Sequence, residues 1–521
     1  MKNMRKMPIG IQDFATIRTD GYVYADKSAF VYELANTGKS YFLSRPRRFG
    51  KSLLVSTFEA YFLGRKELFK GLAIEDLEHD WTQYPVLKFS PAGGDFSTKD
   101  GLEIALRSWL SDFEKKYALS NNEETLSVRF KDALKNAFEK TGKQVVVLVD
   151  EYDNPLLKAI DKEQEEDNRR IFKSFFAVLK DCDAYTRFVF FTGVTKFSKV
   201  SIFSDLNQLQ DISMIEKYSS VCGITQLELE TAFSPEIEAM AAANNLSKEE
   251  CLLKLKKLYD GYHFCEKCED IYNPFSLINA FSSQKFGKYS FSSGTPTFLV
   301  RRLNEINFNP KQFSDGSLFI TEDEISDYRP DNPDIVPLLY QSGYLTLKNY
   351  NERYDNYSLD FPNDEVKYGF MTSLTPVYFK LEKPLDIRSF VRDIDLCNLD
   401  SIKNRFISLF AHLPYTTVAK EKKDAVIEQN FQNVIYLVFL LLGQFVQVEQ
   451  QSTKGRADCI VETENAVYIF EFKRDSSAED ALQQIEAQRY AFPYSADNRT
   501  LYKIGVNFSS ETCNIDGWKV R

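Results

Sequence analysis

Residues 41–52 read Tyr41-Phe42-Leu43-Ser44-Arg45-Pro46-Arg47-Arg48-Phe49-Gly50-Lys51-Ser52. Tyr41 to Leu43 is a short apolar strand, and a helical stretch follows Ser52, so the loop between them has the strand, loop and helix context of a phosphate-binding loop. In such a loop, backbone N–H groups and the helix N-terminus hold phosphate oxygens. Gly50 allows close backbone approach, Lys51 reaches the β and γ phosphates of ATP, and Ser52 holds Mg²⁺. Arg45 stands where G-x-x-x-x-G-K-[ST] has its first glycine. Arg47 and Arg48 crowd the same loop, where they either contact phosphates, act on a neighbouring subunit of an oligomer, or form surface ion pairs. The competing reading of Gly50-Lys51-Ser52 is an ordinary helix start with a basic face.

Outward from this loop, short apolar strands alternate with amphipathic helical stretches, the pattern of a parallel α/β sheet covered on both faces. Candidate strands are Tyr41 to Leu43, Val86 to Phe89, Val145 to Val149 and Phe188 to Phe191. Val145 to Val149 has no polar alternation, which suits a central strand buried on both faces. It ends in Asp150-Glu151-Tyr152-Asp153. Asp150 is expected to bind Mg²⁺ through water and Glu151 to orient the attacking water. Thr192, at the end of the following strand, offers a hydroxyl to the γ phosphate or that water.

Pro8 to Phe14, Tyr24 to Ser28, the Arg45 to Ser52 loop and Asp150 to Pro155 together resemble the AAA-ATPase-like family. Thr192-Gly193-Val194, Ser204 to Asn207, Tyr259 to Tyr262 and Tyr272 to Ser276 extend the resemblance into the middle of the chain. It implies that Arg45 is a tolerated variant of the loop and that Lys51, Ser52, Asp150 and Glu151 hold the family's functional positions. The expected ATP site comprises Arg45, Gly50, Lys51, Ser52, Asp150 and Thr192, with Glu151 catalytic.

A second constellation lies near the carboxyl end. Gly455-Arg456-Ala457-Asp458 opens one strand and Glu471-Phe472-Lys473 closes the next, with Glu471 and Lys473 on one strand face because they are two residues apart. Asp458 and Glu471 suit a site for Mg²⁺ or Mn²⁺, and Lys473 suits the phosphate or the nucleophile of phosphodiester hydrolysis. Glu428, on the preceding helix, could complete the metal site, and Gln484 and Tyr490 could face the same cleft. The bland alternative is a half-exposed sheet with a surface Glu and Lys pair. The order helix, three strands, helix, strand and these residues resemble the PD-(D/E)xK nuclease superfamily. That resemblance places Asp458, Glu471 and Lys473 at core positions and Glu428 and Gln484 at accessory ones.

At 521 residues with 43% hydrophobic content the chain can bury more than one core. The expected division is a P-loop domain over 1–230, a mainly helical connecting region over 231–395 and an αβββαβ nuclease-like domain over 396–521. The formal net charge of -10 excludes bulk electrostatic coating of nucleic acid, so any contact with DNA or RNA must be local. Eight scattered cysteines, no export signal in Met1 to Phe14 and an apolar run, Val434 to Leu442, too short for a bilayer predict a cytoplasmic, non-membrane protein with reduced thiols. His263, Cys265 and Cys268 make half of a metal site without a second pair, and read as a variable loop. The leading functional expectation is an ATP-regulated or ATP-dependent nuclease acting on DNA or RNA. The alternative is a nucleotide-dependent switch that binds a partner through a degenerate nuclease fold without cutting.

Overall fold

The computed structural model describes residues 5–91, 94–120, 125–159, 164–195, 208–290, 299, 302–303, 305–306, 308–313, 316–326, 334–379, 381–412, 420–450 and 457–521, apart from the side chains of 420–430 and 449–450. Of the residues singled out above, Ser204 to Asn207, Gly455, Arg456 and the Glu428 side chain lie outside the described residues. The chain forms two compact units, Met1–Ser292 with Leu318–Glu365, and Ser293–Ser317 with Val366–Arg521.

The first unit is built on strands β1 (Ser40–Ser44), β2 (Val86–Phe89), β3 (Val145–Val149), β4 (Thr186–Gly193) and β5 (Gln210–Asp211). They form one sheet in the order β2-β3-β4-β1-β5, with every neighbouring pair parallel. Every residue of β3 is buried, as its unbroken β-branched run requires. Consecutive phenylalanines of β4 serve opposite faces. Phe190 packs 4.8 Å from Phe58 of the Lys51–Phe62 helix, while Phe191 packs 5.0 Å from Phe176 of the Gln164–Asp181 helix. Because β4 lies between β1 and β3, the register Ser44↔Gly193 and Val149↔Phe191 brings the carboxyl ends of all three strands together. The phosphate-type loop, Asp150 and Thr192 therefore leave the sheet at one edge.

The same unit carries four helices over Gln226–Ala232, Ser234–Ala243, Lys248–Tyr259 and Pro274–Ser283 around a core that includes Leu229, Ile237, Leu255, Tyr272 and Phe281. Reciprocal capping boxes start two of them, Thr225 with Glu228 and Ser247 with Glu250. The segment read as helical also holds three short antiparallel strands, β6 (Phe319–Ile320), β7 (Thr346–Asn351) and β8 (Asn356–Asp360), ordered β6-β8-β7.

In the second unit the Lys420–Leu442 helix precedes β9 (Gln447–Gln450), β10 (Cys459–Glu462) and β11 (Ala466–Arg474). The Ala478–Ala487 helix then crosses to β12 (Thr500–Ser509), which pairs parallel to β11, and β13 (Asn514–Val520) closes the edge. The mixed sheet is ordered β13-β12-β11-β10-β9. The expected αβββαβ order is present, with β13 added to it. Gly505 of β12 lets the crossover helix sit against the sheet, since a Cβ there would lie 2.2 Å from the Ala478 carbonyl oxygen. Among the described residues no helix is long and apolar enough to cross a membrane, and all eight cysteines are free thiols.

Candidate functional site

Gly50 precedes the Lys51–Phe62 helix in a left-handed conformation, φ 91°, which is why glycine suits this position. Lys51 is 4% exposed and donates from Nζ to the carbonyls of Arg45 and Pro46, each at 2.9 Å. Burial lowers its pKa, opposed by the negative charges of Asp153, Asp150 and Glu151. Its ammonium thus lies desolvated in the loop, tied to two carbonyls and within electrostatic reach of three carboxylates at the end of β3. Ser52 follows in the first helical turn and is only partly buried. Gly50 also lines an apolar cavity with Tyr24, Ala25, Phe49, Leu53 and Ile224.

Arg45 has a different place from the other loop residues. It is 1% exposed, and its guanidinium donates to the carbonyls of Ser44, Ser213, Tyr218 and Ser219 while lying 4.1 Å over the Phe264 ring. Its side chain is thus committed to bracing the loop from behind, and what it presents toward Lys51 is its backbone carbonyl. Arg48, at φ 67°, lies 3.9 Å over Phe275.

The acidic strand end is organised by β4. Thr192 Oγ1 donates to Asp150 Oδ1 at 2.7 Å and accepts from the Glu151 amide at 3.3 Å. Glu151 has φ 49°, a strained backbone for a non-glycine residue, and its carboxylate accepts from Asn154 at 3.1 Å. The sequence reading gave no role to Asp153. It is 1% exposed and accepts from the amides of Val194 and Thr195 and the Thr195 hydroxyl at 2.7–2.9 Å. Burial nonetheless raises its pKa. Gly193 was quoted only as part of a motif, yet a Cβ there would meet Tyr152 Cε1 at 2.6 Å and the Asp153 carboxylate at 2.9 Å. A glycine beside a hydroxyl at a strand end was the available signal.

In the second unit β10 and β11 bring the predicted carboxylates together. Asp458 accepts from the Phe472 amide at 2.8 Å, and Lys473 Nζ donates to Glu471 Oε1 at 3.1 Å. Lys473 also donates to Gln484, whose amide donates to the Tyr490 hydroxyl at 3.4 Å. The four residues Glu471, Lys473, Gln484 and Tyr490 thus form one hydrogen-bonded chain. Glu471 is 2% exposed, and among the described residues its Oε2 has no hydrogen-bond partner. Desolvation first, and the neighbouring Asp458 second, raise its pKa. Asp458 keeps contact with solvent, yet enough protein surrounds its carboxyl to raise its pKa by desolvation, against the charges of Lys473 and Lys311. Sequence reasoning missed Lys311, which donates to Gln432 at 3.2 Å. Gln432 follows Glu428 by one helical turn. Among the described residues no group of three or more His, Cys, Asp or Glu is arranged to hold a metal ion.

Two family models match the chain, one described as a predicted AAA-ATPase over residues 8–203 and one as the PD-(D/E)XK nuclease superfamily over residues 426–518. Across nearly its whole length the chain is similar to an uncharacterized protein in the vnfD 5′ region of Azotobacter chroococcum mcd 1, with 35% identity over 528 residues and 99% of each chain covered.

Proposed function

The chain belongs to the AAA-ATPase-like family whose carboxyl end is a PD-(D/E)XK nuclease superfamily domain, and from this we propose an ATP-binding, metal-dependent nuclease acting on DNA or RNA. The observation that carries the nuclease half is Glu471. A buried carboxylate oxygen without a partner among the described residues, next to a second carboxylate that raises its pKa, costs free energy that a divalent cation would remove. Asp458 and Glu471 therefore suit Mg²⁺ or Mn²⁺ and would hold it, and the superfamily resemblance adds Glu428 as the proposed third ligand. When bound, the ion supplies an activated water and charge stabilisation at phosphorus. Lys473 is fixed by Glu471 and Gln484, so its ammonium is oriented before substrate arrives. It steadies the phosphate or the nucleophile, and Gln484 and Tyr490 position it.

In the ATP half, Lys51 exchanges the Arg45 and Pro46 carbonyls for the β and γ phosphates. Ser52 and Asp150 hold Mg²⁺, and the apolar cavity beside Gly50 receives the nucleobase. Thr192 acts by aiming Asp150, while Glu151 orients the attacking water. ATP occupancy then regulates cleavage. The test is a cleavage assay on DNA and RNA, single- and double-stranded, with Mg²⁺ or Mn²⁺ and with or without ATP. Metal-dependent cutting that Asp458→Ala abolishes is the expected result. Intact ATP binding with no cutting of any nucleic acid would replace this reading with the non-cleaving switch.

A further inference from the structure

Behind the phosphate-type loop lies a hairpin that neither site uses. Tyr262 and Ile271 pair antiparallel through reciprocal backbone hydrogen bonds of 3.3 and 2.9 Å, closing a loop that contains His263, Cys265, Cys268 and Asp270. Glu266 and Lys267 form the turn between the two cysteines, and a turn of this kind holds its end residues within about 7 Å, Cα to Cα, the range a disulfide can span. In its thiol form Cys268 Sγ donates to the Cys265 carbonyl at 3.5 Å, so its sulfur is folded back over the turn. Across the hairpin His263 Nδ1 meets Asp270 Oδ1 at 3.0 Å. The His263 backbone is clamped by the Thr346 hydroxyl at 2.7 and 3.0 Å.

We propose that Cys265 and Cys268 form a redox-active dithiol, with Cys268 the attacking thiolate and low-molecular-weight disulfides its oxidants. Cys268 is partly accessible while Cys265 is buried, which assigns the first attack to Cys268 and the resolving role to Cys265. The surroundings agree. The neighbouring Cys265 thiol and His263 lower the Cys268 pKa, while the Cys265 thiol is raised. Asp270 in turn raises His263 to about 10, keeping it cationic beside the sulfur. Among the described residues these side chains do not make a group of three or more metal ligands.

The chemistry balances. The Cys268 thiolate attacks one sulfur of the oxidant, whose S–S bond breaks, giving a mixed disulfide and one released thiolate. Cys265 then loses its proton to solvent and attacks the Cys268 sulfur, expelling the second small thiolate. Two protein thiols are oxidised and one small disulfide is reduced to two thiols. Phe264, between the clamped histidine and Cys265, lies 4.1 Å from the Arg45 guanidinium and 5.5 Å from Phe49. The dithiol therefore sits on the structure that braces the loop.

The test uses the full folded chain, reduced, exposed to oxidised glutathione, alkylated and digested with trypsin. Cleavage after Lys267 separates the two cysteines, so the expected product is a disulfide joining peptides 258–267 and 268–285. Cys265→Ser is expected to trap glutathione on Cys268, and His263→Gln to slow alkylation of Cys268 about tenfold at neutral pH. Recovery of both cysteines singly alkylated after oxidation overturns the proposal. So does a purified chain carrying one equivalent of zinc that protects both thiols. The wild-type map decides without depending on any variant's folding.

Discussion

Lys51 is where charge, burial and geometry meet in the first unit. Lys51→Ala removes the donor to two loop carbonyls together with the point charge for the β and γ phosphates. ATP affinity is expected to fall at least tenfold, about 1.4 kcal/mol, in a variant whose circular dichroism matches wild type; unchanged affinity by calorimetry would remove the loop from the nucleotide site. Glu471 makes the corresponding residue-scale case in the second unit, and its sign can be worked out. Its pKa is raised in the folded chain, so the folded state binds more protons than the unfolded state above the ordinary carboxylate range of about 4. Its contribution is therefore fully present at lower pH and is lost as pH rises through the raised value. Metal-free protein is expected to lose stability over that interval in denaturant titrations, and Glu471→Gln to flatten the loss. Mn²⁺ affinity should rise with pH across the same window, because the ion competes with the proton held on Glu471. A pH-independent Mn²⁺ affinity would count against this ligand.

Among the elements, the Ala478–Ala487 helix links architecture to chemistry, since it carries Gln484 onto Lys473 and approaches β12 closely at Gly505. A Cβ at Gly505 meets backbone atoms of that helix, which cannot rotate aside. Gly505→Ala is thus expected to cost about 1–3 kcal/mol and to displace Gln484 enough to slow cleavage ten- to a hundredfold. Unfolding curves and cleavage rates measure the two effects, and an unchanged rate would show that Gln484 does not position Lys473. The long strands were readable beforehand for a physical reason. Val145–Val149 is buried on both faces and so has no polar alternation, and Ala466–Arg474 continues through seven buried residues. The two-residue β5, Gln210–Asp211, has no such pattern and exists because β1 offers it a partner.

At the scale of the whole molecule, the two sets of chemical residues fall in different compact units, with Lys51, Ser52, Asp150 and Glu151 in one and Asp458, Glu471 and Lys473 in the other. Their losses are expected to separate. Asp458→Ala should abolish metal-dependent cleavage while ATP affinity stays within about twofold, since the lost carboxylate belongs to the other unit and not to the phosphate-type loop. Glu151→Gln should keep ATP binding and slow hydrolysis. A wild type that hydrolyses ATP no faster than Glu151→Gln would deny Glu151 its role. The sequence alone determined the strand, loop and helix order around Lys51, the acidic strand end, and the spacing of Glu471 and Lys473, because each is a local pattern a few residues long. Tertiary structure decided the rest. Asp153 matters through amides 41 and 42 residues further along the chain, and Arg45 through carbonyls 168 to 174 residues away. Lys311 meets Gln432 across 121 residues. No spacing rule reaches that far, since which distant groups a buried charge finds is set by how the chain packs within each unit and by the cost of leaving it unpaired.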